Sequence, residues 1–311
     1  MLKRLPYLFT WAIVAGLLLS NTATASILVD VAWLKKHMND PDVRVVGVYK
    51  KGASFNKGHI PGSVKVDRAQ DLRDHHEYPA YAMPRPEQFV QVMKRIGVDN
   101  DTTVVIYDDS YQFASRLFLV MEYYGHDLEK LKILDGGLTA WKAAGEPVST
   151  EITTVSAKAD YQPSAPHGEL IATRGDIVAN ISRNSEETHA LVDVRPKKEW
   201  DGTKVRAIRT GHIPKAVHHS GVDEFMDKQT HKFRSNDDLE FALAEKGVTK
   251  DKTVYVYCQG GARAPHAYVA MKHILGYPDV RVYDRGWVEW ANLTAMPVAD
   301  EKWIFQTAQK D

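Results

Sequence analysis

The chain has 311 residues, enough for two domains of ordinary size, and its 44% apolar and 10% aromatic content is that of a globular protein. Lysine plus arginine and aspartate plus glutamate each number 40, so the formal net charge is zero and no chain-wide electrostatic footprint for nucleic acid or acidic membrane is present. One cysteine in the whole chain rules out an internal disulfide framework.

At the N-terminus, Lys3 and Arg4 precede an apolar run from Tyr7 to Leu19, followed by small residues with Ala23 and Ala25 in an A-x-A arrangement. This pattern predicts a secretory signal peptide over 1–25, cleaved after Ala25, and an exported chain, periplasmic in a Gram-negative bacterium. The alternative is an uncleaved anchor, but the run is short for a membrane span. The expectation is therefore no membrane association after cleavage.

The remainder repeats itself. V-V-G-V-Y from Val45 answers L-V-D-V-R from Leu191, and G-H-I-P from Gly58 answers G-H-I-P from Gly211. V-V-I-Y-D from Val104 answers V-Y-V-Y-C from Val254, and L-D-G-G-L-T-A-W from Leu134 answers Y-D-R-G-W-V-E-W from Tyr283. The offsets are 146, 153, 150 and 149. Four matches at nearly one offset indicate a domain of about 150 residues copied once. The expected division is a first domain over 26–150, a linker over 151–167, a second domain over 168–298 and a tail over 299–311.

Each half alternates β-branched runs with helical periodicity. In the second, A-L-V-D-V and V-Y-V-Y read as buried strands, Leu239–Gly247 and Ala264–Gly276 as helices, and D-V-R-V-Y-D as a returning strand. The fold class expected is α/β, each domain a mainly parallel sheet flanked by helices.

Ligands in such folds sit beyond the carboxyl ends of the strands. Cys258 falls there, after Val254–Tyr257, with the loop Cys258–Arg263 leading into a helix whose first turn carries Pro265. The glycines let the loop curl so that backbone N–H groups point inward, and the helix N-terminus adds partial positive charge. Such a cradle favours a thiolate and can hold an anion bonded to its sulfur. The commoner fate of a free cysteine is that of a small buried residue, but a cysteine followed by Gln259, Gly260 and Gly261 is a poor packing position. In the first half, Asp108 stands at the position of Cys258, Gly47 at that of Asp193 and Tyr49 at that of Arg195. Reactive residue types occur only in the second copy, which is expected to carry the chemistry.

At these residues the chain resembles the rhodanese family of sulfurtransferases, in its tandem form with a non-catalytic first domain. The resemblance covers nearly all of the chain after residue 25. It implies two rhodanese-like domains and Cys258 as the nucleophile that carries a persulfide. It also implies Gln259, Gly260, Gly261, Ala262 and Arg263 as the substrate loop, Arg195 as the substrate-anion arginine and Asp193 as the acid that orients it. Family members specialised for thiosulfate usually show Cys-Arg-Lys-Gly-Val-Thr, and those for 3-mercaptopyruvate Cys-Gly-Ser-Gly-Val-Thr. Cys-Gln-Gly-Gly-Ala-Arg is neither, so both donors stay open. The expected partners are a small-molecule sulfur donor and a cyanide, thiol or protein-thiol acceptor. No cofactor is implied. A non-catalytic sulfur-carrier module is the rival reading. A cysteine phosphatase, which needs five residues between Cys and Arg, fits poorly because four intervene here.

Other signals read as structural. His75-His76 and His218-His219 are neighbours whose side chains diverge, and no H-E-x-x-H or paired C-x-x-C is present, so no metal site is expected. His59 and His212 are expected to hold the G-H-I-P turns, and Trp141 and Trp290 to anchor cores. His266 is assigned to the surface in preference to the active site. Tyr78, Tyr81, Tyr111 and Phe113 read as core residues with one or two near the cleft, and Asp74–Glu77 as a solvated loop.

Overall fold

The β-branched runs form the strands of two parallel sheets. A computed structural model describes residues 26–50, 52–77, 82–108, 112–155, 159–182, 186–220 and 224–303; the segment expected to be a signal peptide, and Tyr78, Tyr81 and Tyr111, lie outside the described residues. The first half runs β1 (Leu28–Val29), α1 (Val31–His37), β2 (Val43–Tyr49), β3 (Val64–Asp67), α2 (Arg68–Asp71), α3 (Pro86–Ile96), β4 (Thr103–Asp108), α4 (Ala114–Tyr123), β5 (Leu131–Leu134) and α5 (Gly137–Ala143). Its strands are all parallel, in the order β1-β5-β4-β2-β3.

The second half runs α6 (Arg174–Ser182), β6 (His189–Asp193), α7 (Lys197–Trp200), β7 (Arg209–His212), β8 (Val217–His218), α8 (Asn236–Ala244), β9 (Thr253–Tyr257), α9 (Ala264–Val269), β10 (Val280–Tyr283), α10 (Gly286–Asn292) and β11 (Ala299–Trp303). Here β10-β9-β6-β8 form a parallel sheet, while β7 pairs with β11 antiparallel. Val104–Tyr107 of β4 and Val254–Tyr257 of β9 are buried on both sides. Central strands covered by helices on both faces need such continuous apolar runs.

The copies match in detail. Trp141 and Trp290 are buried, and each indole N–H donates to a proline carbonyl seven or fewer residues on, Pro147 and Pro297, at 2.7 Å in both. The hydroxyls of Tyr107 and Tyr257 accept from the N–H groups of Ile60 and Ile213 in the two G-H-I-P turns, at 3.1 and 3.2 Å. His59 stacks on Phe55 and bonds the carbonyls of Phe55 and Glu151, whereas His212 stacks on Trp200. One apolar core spans both domains, and α4 packs on α9 at its centre.

Several expectations are corrected. The tail does not begin at Ala299, because Ala299–Trp303 completes a ladder with β7. Within the expected linker, Tyr161 is buried, packed edge-on to Phe89, and its hydroxyl lies 3.2 Å from His126 Nδ1. Asp74–Glu77 is not simply solvated, since Asp74 is buried and accepts from Arg85 Nε at 2.7 Å. Helix α8 starts at Asn236, three residues before the expected Leu239, because the Ser235 side chain caps it by accepting from the Asp238 N–H. Beyond Val269, α9 passes into a π-helical turn over Ala270–Ile274 and does not continue regularly to Gly276.

Candidate active site

Strand β9 ends at Tyr257 and α9 begins at Ala264, so residues 258–263 form a six-residue loop at the carboxyl edge of the sheet. Two positions of close approach shape it. Gly261 has φ +67°, and a Cβ there would stand 2.1 Å from Asp284 Oδ1. Gly286 has φ +55°, and a Cβ there would stand 2.4 Å from the Cys258 carbonyl oxygen. Only glycine meets both demands. The loop carbonyls are turned toward α10: Trp287 and Val288 N–H donate to the carbonyls of Cys258 and Gln259, both at 2.9 Å. On the other face the Arg263 N–H donates to Cys258 Sγ at 3.4 Å. The sulfur thus faces the first amide of the helix mouth. It is also fully buried, with Val256, Ala264 and Ala267 among its core neighbours.

The two arginines expected to hold a substrate anion are otherwise engaged. Arg195 is 1% exposed; its Nε and Nη2 donate to Asp193 Oδ2 at 2.8 and 2.5 Å, and Nη2 also donates to the Gly211 carbonyl at 2.8 Å. Its guanidinium lies over the Trp287 ring, 4.5 Å from the centroid. Asp193 sits two residues away on the same strand end, so the chain supplies the counter-charge locally. Arg195 is part of the wall behind the loop, with Asp193 bonded to its guanidinium.

Arg263 pairs with Glu199, its Nη2 2.8 Å from Oε2. Glu199 also receives Arg206 Nη1 at 3.2 Å. Burial by itself would raise the Glu199 pKa, but Arg263 and Arg206 outweigh it and hold the carboxyl below its ordinary range. Burial likewise opposes the Arg263 charge, and the Cys258 sulfur and Glu199 overcome it, raising that pKa. Gln259 Nε2 donates to the Arg206 carbonyl at 2.9 Å, tying the loop to the segment after α7.

Gly260 and Gly261 are buried in the loop and Ala262 is half-buried. Glu199 and Arg206 escaped the sequence reading because K-K-E-W looks like a solvated turn; only proximity to Arg263 reveals them. His266 is 3% exposed, stacked on Phe233 with the ring centroids 4.4 Å apart, and within 3.5 Å of Ser115 Oγ. It belongs to the domain interface, not the surface, because α9 packs there against α4. Phe113 is buried. His218 Nε2 contacts the Arg195 carbonyl, while His219 stacks near Phe225, so that adjacent pair diverges. Among the described residues no group of three or more His, Cys, Asp or Glu side chains is placed to hold a metal ion.

Two α/β domains of one topology, with a lone thiol at a strand–loop–helix junction in the second, define a tandem sulfurtransferase-type architecture. The family model for the rhodanese-like domain matches residues 30–144 and 177–293, and the chain belongs to the rhodanese family. Among curated relatives, the sulfur carrier protein TtuD of Thermus thermophilus is 33% identical over 287 residues, covering 89% of this chain and 98% of its own. A putative thiosulfate sulfurtransferase, SseA of Mycobacterium bovis, is 33% identical over 298 residues, covering 90% and 93%. The crystal structure of SseA from Escherichia coli, presented with the mechanism of 3-mercaptopyruvate sulfotransferases, superposes with a TM-score of 0.71 at 26% identity, covering 84% of this chain and 99% of that one.

Proposed function

We propose that this protein is a sulfurtransferase that moves a sulfane sulfur from thiosulfate to a thiophilic acceptor through a persulfide on Cys258. The observation that carries the reading is the Arg263 N–H donating to Cys258 Sγ at a helix mouth. The cysteine thiolate attacks the outer sulfur of thiosulfate. The new S–S bond forms as the old one breaks, and its electron pair leaves with sulfite. A thiolate or cyanide then attacks the terminal sulfur, takes it away, and returns the thiolate of Cys258. Two half-reactions through one covalent intermediate predict ping-pong kinetics.

Charge on the donor is met by backbone amides more than by arginine side chains, since Arg195 and Arg263 are each matched by a carboxylate. The sulfur is buried, so the donor reaches it as the surrounding wall opens. The relative named as a sulfur carrier favours a protein thiol as one acceptor. The N-terminal pattern supports export with removal of residues 1–25; no helix among the described residues is long and apolar enough to cross a membrane.

One set of measurements tests this. Intact-mass analysis of the exported protein should give a chain starting at Ser26, and incubation with thiosulfate should add one sulfur to it. Cys258→Ser should gain none and turn over nothing. Near-normal turnover by that variant ends the proposal, and a strong kinetic preference for 3-mercaptopyruvate over thiosulfate replaces the donor.

A further inference from the structure

The loop that carries Cys258 is held from outside its own domain. Arg116 lies on α4 of the first domain and is 2% exposed. Its Nη1 donates to the carbonyl of Gly261 at 3.3 Å and forms a short ion pair with Asp284, which is also 2% exposed. The other edge of the guanidinium is fixed within the first domain: Nε and Nη2 donate to the Leu72 carbonyl at 3.2 and 3.1 Å. Asp284 is the residue whose carboxylate closes against Gly261. One planar fork therefore grips the loop at its left-handed residue, and the acid beside it, from the domain without a nucleophile.

The geometry says what the grip does. In a trans peptide the C=O and the following N–H point in opposite directions. Holding the Gly261 carbonyl toward Arg116 fixes the Gly261–Ala262 peptide and sends the Ala262 N–H the other way. The next amide along is that of Arg263, which donates to the sulfur.

The molecule also contains the control. Position 266 follows position 116 by 150 residues, the repeat offset, and it holds His266 on α9. Asp135, the counterpart of Asp284, accepts the Phe233 N–H across the interface at 3.0 Å. Burial pushes the pKa of His266 down to about 3, so it is neutral. The charged member at this pair of positions, Arg116, is the one that reaches the loop with the cysteine.

We propose that Arg116 is a positioning residue for sulfur transfer: through the Gly261 carbonyl and Asp284 it sets the amide cradle of Cys258, which is why the duplicated first domain is a working part of the enzyme. The inference rests on Cys258 as the nucleophile. The test uses the full chain and compares R116K, R116Q/D284N and E122Q. Lysine keeps a charge for Asp284 but loses the fork, and the double variant removes the buried carboxylate that a single R116Q would leave unpaired. Glu122 is also on α4 and meets His273 across the interface at 3.0 Å, away from the loop.

R116K and R116Q/D284N should lose about a hundredfold in kcat for sulfur transfer, the cost of about an ångström of misplacement. Their Cys258 thiolate absorbance in the ultraviolet should appear at higher pH than in the parent protein. As the chain has a single cysteine, the difference from the C258S profile isolates that signal. E122Q should lower thermal stability and leave both readouts unchanged. Parent-like kcat and absorbance profile in both Arg116 variants would overturn the proposal, as would equal changes in E122Q. Failure of the nucleophile assignment itself is seen separately, in turnover by C258S.

Discussion

The two halves put different groups in one cradle. In the first domain Asp108 ends β4, and its Oδ2 accepts from the N–H groups of Phe113 and Ala114 at 2.6 and 2.8 Å. In the second, Cys258 follows β9, and its Sγ accepts from the N–H of Arg263. Phe113 and Arg263 each stand five residues after the group they hold. The glycines opposite correspond as well: a Cβ on Gly137 would meet the Asp108 carbonyl oxygen at 2.7 Å, as one on Gly286 would meet that of Cys258. The cradle is thus a general seat for a small anion at a helix mouth. A carboxylate fills it permanently in one copy, and a sulfur that can become an anion fills it in the other. Reactivity is a substitution within a shared scaffold, not a feature of one scaffold.

The sharpest way to break this equivalence is Cys258→Asp. The new carboxylate should accept from the amides of Arg263 and Ala264 as Asp108 does from its pair. We expect a folded protein with a Tm close to that of the parent and no sulfur transfer to cyanide. Thermal melts and the cyanide assay read both outcomes. A variant that fails to fold shows that the two seats differ in more than their occupant.

The layer behind the cradle differs more, and this predicts the next largest effect. The second domain fills it with the Asp193–Arg195 pair, both members 1% exposed or less. The first fills it with rings: Tyr49 meets Tyr107 edge-on, and a Cβ on Gly47 would stand 2.7 Å from the Tyr49 ring. Breaking a buried pair strands a charge, so Asp193→Asn should cost about 3–5 kcal/mol. Transplanting the first domain's solution, Asp193→Gly with Arg195→Tyr, should be more stable than the single variant, because it strands nothing. Urea denaturation ranks the three proteins. If the double variant is the less stable, the pair is worth more than its rings-only counterpart.

How much of this the sequence discloses follows from locality. The strands, the duplication and the cysteine loop were legible because each is a contiguous run of a few residues. The parallel arrangement followed from strand–helix alternation. Arg195 and its partner Asp193 were both legible, yet nothing in the order of residues says that the pair is sealed beneath Trp287. Glu199 and Arg116 were missed for a deeper reason. Each acts on a loop residue far along the chain, 64 positions away for Arg263 and 145 for Gly261. The surface assignment of His266 failed for the same cause, since the helix face it occupies is covered by the other domain.

That interface yields the smallest expected effect, and its sign separates the two sides again. Arg116 is paired with Asp284 in the core. His266 at the matching position gives its charge up, its pKa falling from 6.5 to about 3 through burial. The folded protein therefore cannot take a proton at His266 as pH drops below 6.5, while the unfolded chain can. Stability from this residue is intact above pH 6.5 and is lost as pH falls toward 3, by about 1.4 kcal/mol per unit. Between pH 6.5 and 5 that is about 2 kcal/mol. His266→Leu should flatten the slope by this amount in urea titrations at the two pH values. An unchanged slope would mean that His266 is protonated in the folded protein, and then both sides of the interface would carry a cation and the asymmetry that singles out Arg116 would disappear.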